Sequence, residues 1–229
     1  MLPDYRTRRY IGSTDVGPLL VHYRPAMASL AKYSNACDVW LRLAHGITQP
    51  PSDRMTRGLR VEPDMRRLYR EHVGAVGEPP GLLKHPTHAF IAGSPDGING
   101  DVCVEYKTTT MFARRSWGEP GTDLVPDSYA TQCQFLMLLS GTRRCHLLVA
   151  FGVDGKDETG GPTYAIQETA IYVLERSDEL VAELEGAAVR FWREHVETMT
   201  PPPGKPLHNV RAWQRILKEQ QSTKEAAHG

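Results

Sequence analysis

The sequence predicts an α/β fold: a mixed β-sheet built from the middle of the chain, with helices on both sides. Three observations predict it. Short apolar runs bounded by turn residues fall between about positions 82 and 174, and amphipathic segments with capping residues precede, interrupt and follow them. Asn99-Gly100 is a favoured two-residue hairpin turn, because both of its positions must take φ > 0. Hydrophobic residues make up 40% of 229, enough for one core and one domain with appendages.

Taken in order, Thr14 or Asp15 caps a short helix through Leu20. Asn35 precedes an amphipathic helix, Ala36–Ala44, stopped by Gly46. A basic helical segment runs from about Asp53 to His72. Pro63 either kinks it or starts a new segment, which leaves Glu62 at the irregularity. Strands follow near Leu82–His85, Ala89–Gly93 and Asp101–Thr108, then a helix from Asp127 to Leu139 that ends at Gly141. Strands Cys145–Phe151 and Thr163–Leu174 flank a Gly/Asp loop, Gly152–Pro162. Ser177 caps a long helix to about Thr198. Pro201-Pro202-Pro203 separates a final polar helix, Leu207–Gln220, so residues 1–203 read as the domain and 204–229 as a helical tail.

The net charge is zero, so bulk charge does not announce a nucleic-acid binder. The positive charge is segregated, however, with Arg6, Arg8 and Arg9 at the start, six arginines between Arg54 and Arg70, and the pairs Arg114-Arg115 and Arg143-Arg144. A basic lining of that kind binds a polyanion locally, although any single arginine also fits a solvated helix face. The longest apolar run, Leu147 to Phe151, is too short to span a membrane, and no signal-peptide pattern is read. Cys37, Cys103, Cys133 and Cys145 lack C-x-x-C spacing, which argues against a zinc or disulfide framework and for a reducing cytoplasm.

The chemistry concentrates in one turn and the strand after it, Ser94-Pro95-Asp96-Gly97 and Val102-Cys103-Val104-Glu105-Tyr106-Lys107. Alternation along the strand puts Cys103, Glu105 and Lys107 on one face and Val102, Val104 and Tyr106 on the other. If the turn closes with Ile98 opposite Asp101, Asp96 lies opposite Cys103 and diagonal to Glu105, within about 7–8 Å at the backbone. Two carboxylates then converge on one hard cation, with a lysine beside them. Glu62 adds a third carboxylate, or else pairs with Arg66 four residues on as a surface residue. Tyr129, Gln132 and Leu136 share a helix face. Gln134 lies well round from them, and among apolar neighbours it needs a hydrogen-bond partner.

Taken together these segments resemble the YqaJ-type viral recombinase, or phage lambda exonuclease, family, which has the PD-(D/E)xK restriction-endonuclease-like core. The resemblance runs from Ile11-Gly12-Ser13-Thr14-Asp15-Val16 through Asp38-Val39-Trp40-Leu41 and Arg57-Gly58-x3-Glu62-Pro63. It continues in Ser94-Pro95-Asp96-Gly97, Glu105-Tyr106-Lys107-Thr108, Tyr129-x2-Gln132-x-Gln134 and Phe191-Trp192, covering roughly residues 8–203. The chain departs from the family pattern at Gly-Ser-Thr-Asp, which leaves open whether Ser13 or Thr14 contacts phosphate, and at Tyr106, where an aliphatic residue is usual.

The resemblance implies metal-dependent hydrolysis of DNA. Asp96, Glu105 and the Tyr106 carbonyl would hold Mg²⁺, with Mn²⁺ substituting. Glu62 would hold water at that cation or complete a second site, Lys107 would offset charge on the phosphate, and Gln132 would position Lys107 or the water. Arg8, Arg9, Ser13 or Thr14, Arg57, Arg114, Arg115 and Tyr129 would contact DNA or its terminal phosphate. The implied activity is 5′→3′ digestion of double-stranded DNA ends in phage-type recombination. It would be carried out in a bacterial cytoplasm by a homotrimeric ring working with a single-strand annealing protein. Two alternatives differ in class or cofactor: a RecB-like or CRISPR-adaptation nuclease with an iron–sulfur cluster, which needs clustered cysteines, and a catalytically silent DNA-binding accessory protein.

Overall fold

The computed structural model describes residues 9–74 and 79–228. Its elements in chain order are α1 (Val16–Tyr23), a 3₁₀ segment Pro25–Ala31, α2 (Ala36–His45), α3 (Asp53–Val73), β1 (Leu83–Lys84), β2 (Ala92–Gly93), β3 (Gly97–Asn99) and β4 (Val102–Thr110). After these come a 3₁₀ segment Met111–Ser116, α4 (Asp127–Ser140), β5 (Arg144–Lys156), β6 (Pro162–Glu175), α5 (Asp178–Phe191), a wide turn Trp192–Val196 and α6 (Val210–His228). The predicted class is the one observed. A four-stranded mixed sheet runs β3-β4-β5-β6, with β1 and β2 paired beside it. β4 and β5 are parallel and the other pairings antiparallel. A parallel step needs a long crossover, and α4 supplies it.

Alternation on β4 organises both layers. Cys103 packs with Cys133, Leu136 and Met137 of α4. Val104 and Tyr106 pack with Val61, Met65 and Tyr69 of α3 on the opposite face. A third cluster joins α1, α2, α5 and α6 around Trp40, Phe135 and Phe191. Each fully buried Leu, Val or Phe contributes about 1.5–3 kcal/mol. α2 starts and stops as its residues dictate: Asn35 makes a reciprocal capping box with Asp38, and Gly46 closes it at φ 68°. Gly141 closes α4 at φ 72°.

Five expectations change. The hairpin turn lies on Gly100-Asp101, since Asn99 faces Val102 and Gly97 faces Val104. Gly100 takes φ 61° as the first turn residue, as primed turns with a leading glycine require. The slip is two residues, so every side chain keeps its face, and in the new register Asp96 falls opposite Glu105 itself. α3 runs unbroken through Gly58 and Pro63. Pro63 withholds the amide that would bond the Leu59 carbonyl, but the buried stripe Arg57, Val61, Met65 and Tyr69 holds the helix to the sheet. Asp15 heads α1 without a side-chain cap; its carboxylate instead accepts from the Gly12 amide at 2.7 Å and from Arg42 at 2.8 Å. β5 and β6 continue as a ribbon to Lys156 and Pro162, so the Gly/Asp connection shrinks to residues 157–161. The carboxy-terminal helix is docked rather than trailing: Trp213 and Ile216 are buried in the core, and Trp213 meets Trp40 edge-on at 5.5 Å.

Candidate active site

The ladder between β3 and β4 stops at Gly97, and the Asp96 side chain takes over at the strand edge. Its Oδ2 accepts from the Tyr106 amide at 2.7 Å. The Ser-Pro-Asp turn is pinned from the other side by α3, where Arg66 donates to the Asp96 carbonyl at 3.1 Å. Arg66 also lies 3.7 Å from Glu62. Glu62 therefore makes the i,i+4 pair expected of a surface residue, yet faces the pocket closely enough to disfavour ionisation of Asp96. Arg66 as a tether of the turn was missed, because its only visible signal was that spacing.

Glu105 and Lys107 point from β4 toward α4, with Nζ 2.5 Å from Oε1. Glu105 is 6% exposed. Burial and the facing Glu105 raise the Asp96 pKa well above the ordinary carboxylate range, outweighing Lys107 and the Tyr106 amide. Burial opposes the charge on Lys107, but Glu105 and Asp96 more than offset it and hold the ammonium protonated. Ionising both acids in this pocket is costly unless further positive charge lies beside them. The donor set, carboxylate oxygens beside a strand carbonyl, suits a hard divalent ion. The Tyr106 ring turns the other way, into the α3 layer, where burial pushes its hydroxyl up to about 12.

α4 lies over this pocket. Tyr129 stacks on Trp117 with centroids 5.1 Å apart, and Lys107 Nζ is 6.0 Å from its ring centre. One turn along, the Gln132 Oε1 is buried with no hydrogen-bond partner, an acceptor of the kind that marks a functional group in native structures. Gln134 accounts for itself structurally: it donates to the Glu175 carbonyl at 2.8 Å and accepts from the Ser177 amide at 2.9 Å. The two glutamines of one motif thus have different tasks.

Beyond Tyr129 opens a cavity of about 680 Å³ lined by Lys32, Tyr33, Arg54, Thr108, Phe112 and Arg115, among others. Arg115 lies 3.8 Å over the Phe112 ring, and Arg54 and Lys32 lie 5.3 and 5.4 Å over Tyr33. Phe112 is 72% exposed. Tyr33 and Phe112 were not singled out in the sequence, and Arg54 was read only as one of six clustered arginines, since the three line one cavity only in three dimensions.

The remaining arginines divide. Arg57 lines the same cavity, but it is buried and its fork is engaged by Thr108 and by Asp154 at 2.6 Å. Arg114 is tied to Glu168 at 2.7 Å and to the Trp117 and Gly118 carbonyls. Both brace β4 and its exit. Arg8 lies outside the described residues. Arg9 and Thr14 are exposed and Ser13 is half-buried. Their segment is stitched beside β2 by Ile11, which donates to the Phe90 carbonyl and accepts from the Ala92 amide. The structure thus gathers Glu62, Asp96, Glu105, Tyr106, Lys107 and Tyr129, and stations Arg9, Ser13 and Thr14 beside the strand that leads to them.

The alternative with four clustered cysteines does not fit. Cys103, Cys133 and Cys145 are buried in one apolar cluster, while Cys37 lies elsewhere against the Pro202 and Pro203 carbonyls.

A family model described as the YqaJ-like viral recombinase domain matches residues 6–143. The uncharacterized protein YqaJ of Bacillus subtilis (strain 168) is 23% identical over 196 residues, 82% of this chain and 54% of that protein, so the chain spans about half the length of this curated relative. Among solved structures, an alkaline exonuclease, LHK-Exo from Laribacter hongkongensis, is 21% identical with a TM-score of 0.55, over 94% of this chain and 95% of that one. LHK-Exo in complex with dAMP gives 20% and 0.58 over 96% and 97%. A phage related exonuclease from Haemophilus somnus 129PT gives 13% and 0.61 over 83% and 96%. These likenesses establish a common fold. With the family model covering more than half of its length, this chain belongs to the YqaJ-like viral recombinase domain family.

Proposed function

We propose that this chain is a metal-dependent DNA exonuclease that digests duplex ends 5′→3′ and leaves 3′ single strands for recombination. The observation that carries the reading is the grouping of Asp96, Glu105 and Lys107 next to Tyr129, which lines a cavity of basic and aromatic residues. Asp96, Glu105 and the Tyr106 carbonyl would hold Mg²⁺, or Mn²⁺ in its place. When bound, the cation supplies Lewis-acid charge and lowers the pKa of water.

The chain's own residues supply the rest. Lys107 keeps its proton and places fixed positive charge where the phosphate becomes more negative. Gln132 offers a buried acceptor that can orient the attacking water or the Lys107 ammonium. Glu62, on the α3 side, completes the acidic rim. Arg115 and Arg54 grip the backbone, while Tyr129, Phe112 and Tyr33 present ring faces to bases. Arg9 with Ser13 or Thr14 would read the terminal phosphate, which accepts more charge-assisted hydrogen bonds than an internal diester. A ring of three copies, an annealing-protein partner and action in the cytoplasm of a phage-bearing host complete the proposal. Among the described residues no helix is long and apolar enough to cross a membrane.

The test is digestion of linear duplexes labelled at either end, with and without a 5′-phosphate, in Mg²⁺. Release of the 5′ label first, faster on phosphorylated ends, is expected. Binding without digestion would favour the silent accessory protein instead.

A further inference from the structure

We propose that His85, His88 and Glu185 form a second metal site, for a borderline cation of the zinc type, that clips the β1–β2 hairpin to α5. Among the described residues this is the one group of three His, Cys, Asp or Glu side chains whose ligand atoms all lie within 4.8 Å of one another. The His85 and His88 Nε2 atoms are 3.3 and 3.7 Å from the same oxygen, Glu185 Oε1. In a tetrahedral site with bonds of about 2.0–2.1 Å, ligand atoms stand about 3.3–3.4 Å apart, so two of the three edges are nearly in place. The two rings are stacked, 17° from parallel with centroids 5.0 Å apart, and both present Nε2 to the carboxylate.

The surroundings fit a ligand set better than a solvated ion pair. The His85 side chain is only 7% exposed. The Thr87 hydroxyl lies 3.2 Å from His85 Nδ1 and can accept its proton when Nε2 is coordinated, an outer partner of the kind that fixes ligating histidines. Without metal, the Thr87 amide donates to Nδ1 at 3.3 Å and selects the Nε2–H tautomer, so loading the site breaks that bond as the ring proton passes from Nε2 to Nδ1. His88 and Glu185 are partly exposed, leaving a side for water as fourth ligand. Imidazole nitrogen selects zinc-like cations, whereas the all-oxygen set at Asp96 and Glu105 selects magnesium. The role is mechanical. The hairpin's second strand, β2, leads straight into Ser94-Pro95-Asp96, so fixing the hairpin to α5 steadies the strand that delivers Asp96.

The full chain, stripped with a chelator, should be titrated with Zn²⁺ by calorimetry and melted with and without it, with Mg²⁺ as control. We expect one equivalent bound, a rise in Tm of about 4 °C or more in excess Zn²⁺, no such rise with Mg²⁺, and visible bands of a tetrahedral nitrogen/oxygen site with Co²⁺. His88→Ala and Glu185→Gln are partly exposed substitutions that should fold, as circular dichroism will check, and each should abolish the binding. The double variant D96N/E105Q should keep it. No stoichiometric binding to the wild type overturns the proposal. So does binding that survives His88→Ala, or binding that disappears in D96N/E105Q.

Discussion

The pocket at Asp96 and the cavity beyond it lie on either side of Tyr129, whose ring Lys107 faces from the pocket, and they are built from opposite charges. In the pocket, two acids face one another across the hairpin, and Asp96 resists ionisation. Along the cavity, the basic groups lie over aromatic rings that are largely open to water, as at Phe112 and Tyr33. The pocket stores repulsion that a cation relieves, whereas the cavity offers attraction that a polyanion collects. Proton concentration should therefore report on the first and salt concentration on the second.

The largest expected effect tests the pocket directly. Asp96→Ala and Glu105→Ala should each reduce Mg²⁺-dependent digestion to background while retaining duplex-end binding in a gel-shift assay, because the cavity is untouched. Full activity in either variant would sink the catalytic assignment. Next comes the junction, where Lys107→Ala should lower kcat by about 10²–10³-fold with the Mg²⁺ midpoint retained.

A third comparison separates two arginines of the cavity. Arg57→Ala should destabilise the fold by about 2–3 kcal/mol in urea melts, since it strands Thr108 and Asp154; the exposure of Asp154 keeps the loss below that of a fully buried pair. Arg115→Ala should change stability by less than about 0.5 kcal/mol and reduce the salt slope of DNA binding by about one. If the two variants exchange phenotypes, the division between bracing and gripping is wrong.

The smallest effect is thermal. The unfolded chain ionises Asp96 in the ordinary carboxylate range, while the folded chain keeps its proton to higher pH. Between those values the folded state binds more protons, so stability falls as pH rises. Asp96→Asn removes that loss and keeps an acceptor for the Tyr106 amide. In metal-free buffer above the ordinary carboxylate range its Tm should exceed that of wild type, and the gain should vanish near pH 4.

Much of the pocket was legible because its logic is local. Alternation alone places Cys103, Glu105 and Lys107 on one face, and a turn misplaced by two residues could not disturb that. Helical spacing likewise separated Gln132 from Gln134. Capping residues marked α2 and α4 because Asn35, Gly46 and Gly141 act within one turn of chain. What escaped notice depends on distant partners. Arg57 and Arg115 look alike in sequence, and only Asp154, nearly a hundred residues on, distinguishes the brace from the grip. His85 and Glu185 are likewise a hundred residues apart. The ribbon beyond Phe151 was read as loop because its exposed side chains carry no apolar alternation.

The stitch of Ile11 between Phe90 and Ala92 has a consequence for the order of assembly. It closes a loop of about 80 residues, so during synthesis the segment carrying Arg9, Ser13 and Thr14 must wait for its partner strand to emerge. At ~5–20 residues per second that wait is roughly 4–16 s. Through that interval the amino-terminal segment has no strand to join. A nascent chain arrested before position 92 should leave it open to proteases, and one arrested well beyond that point should protect it.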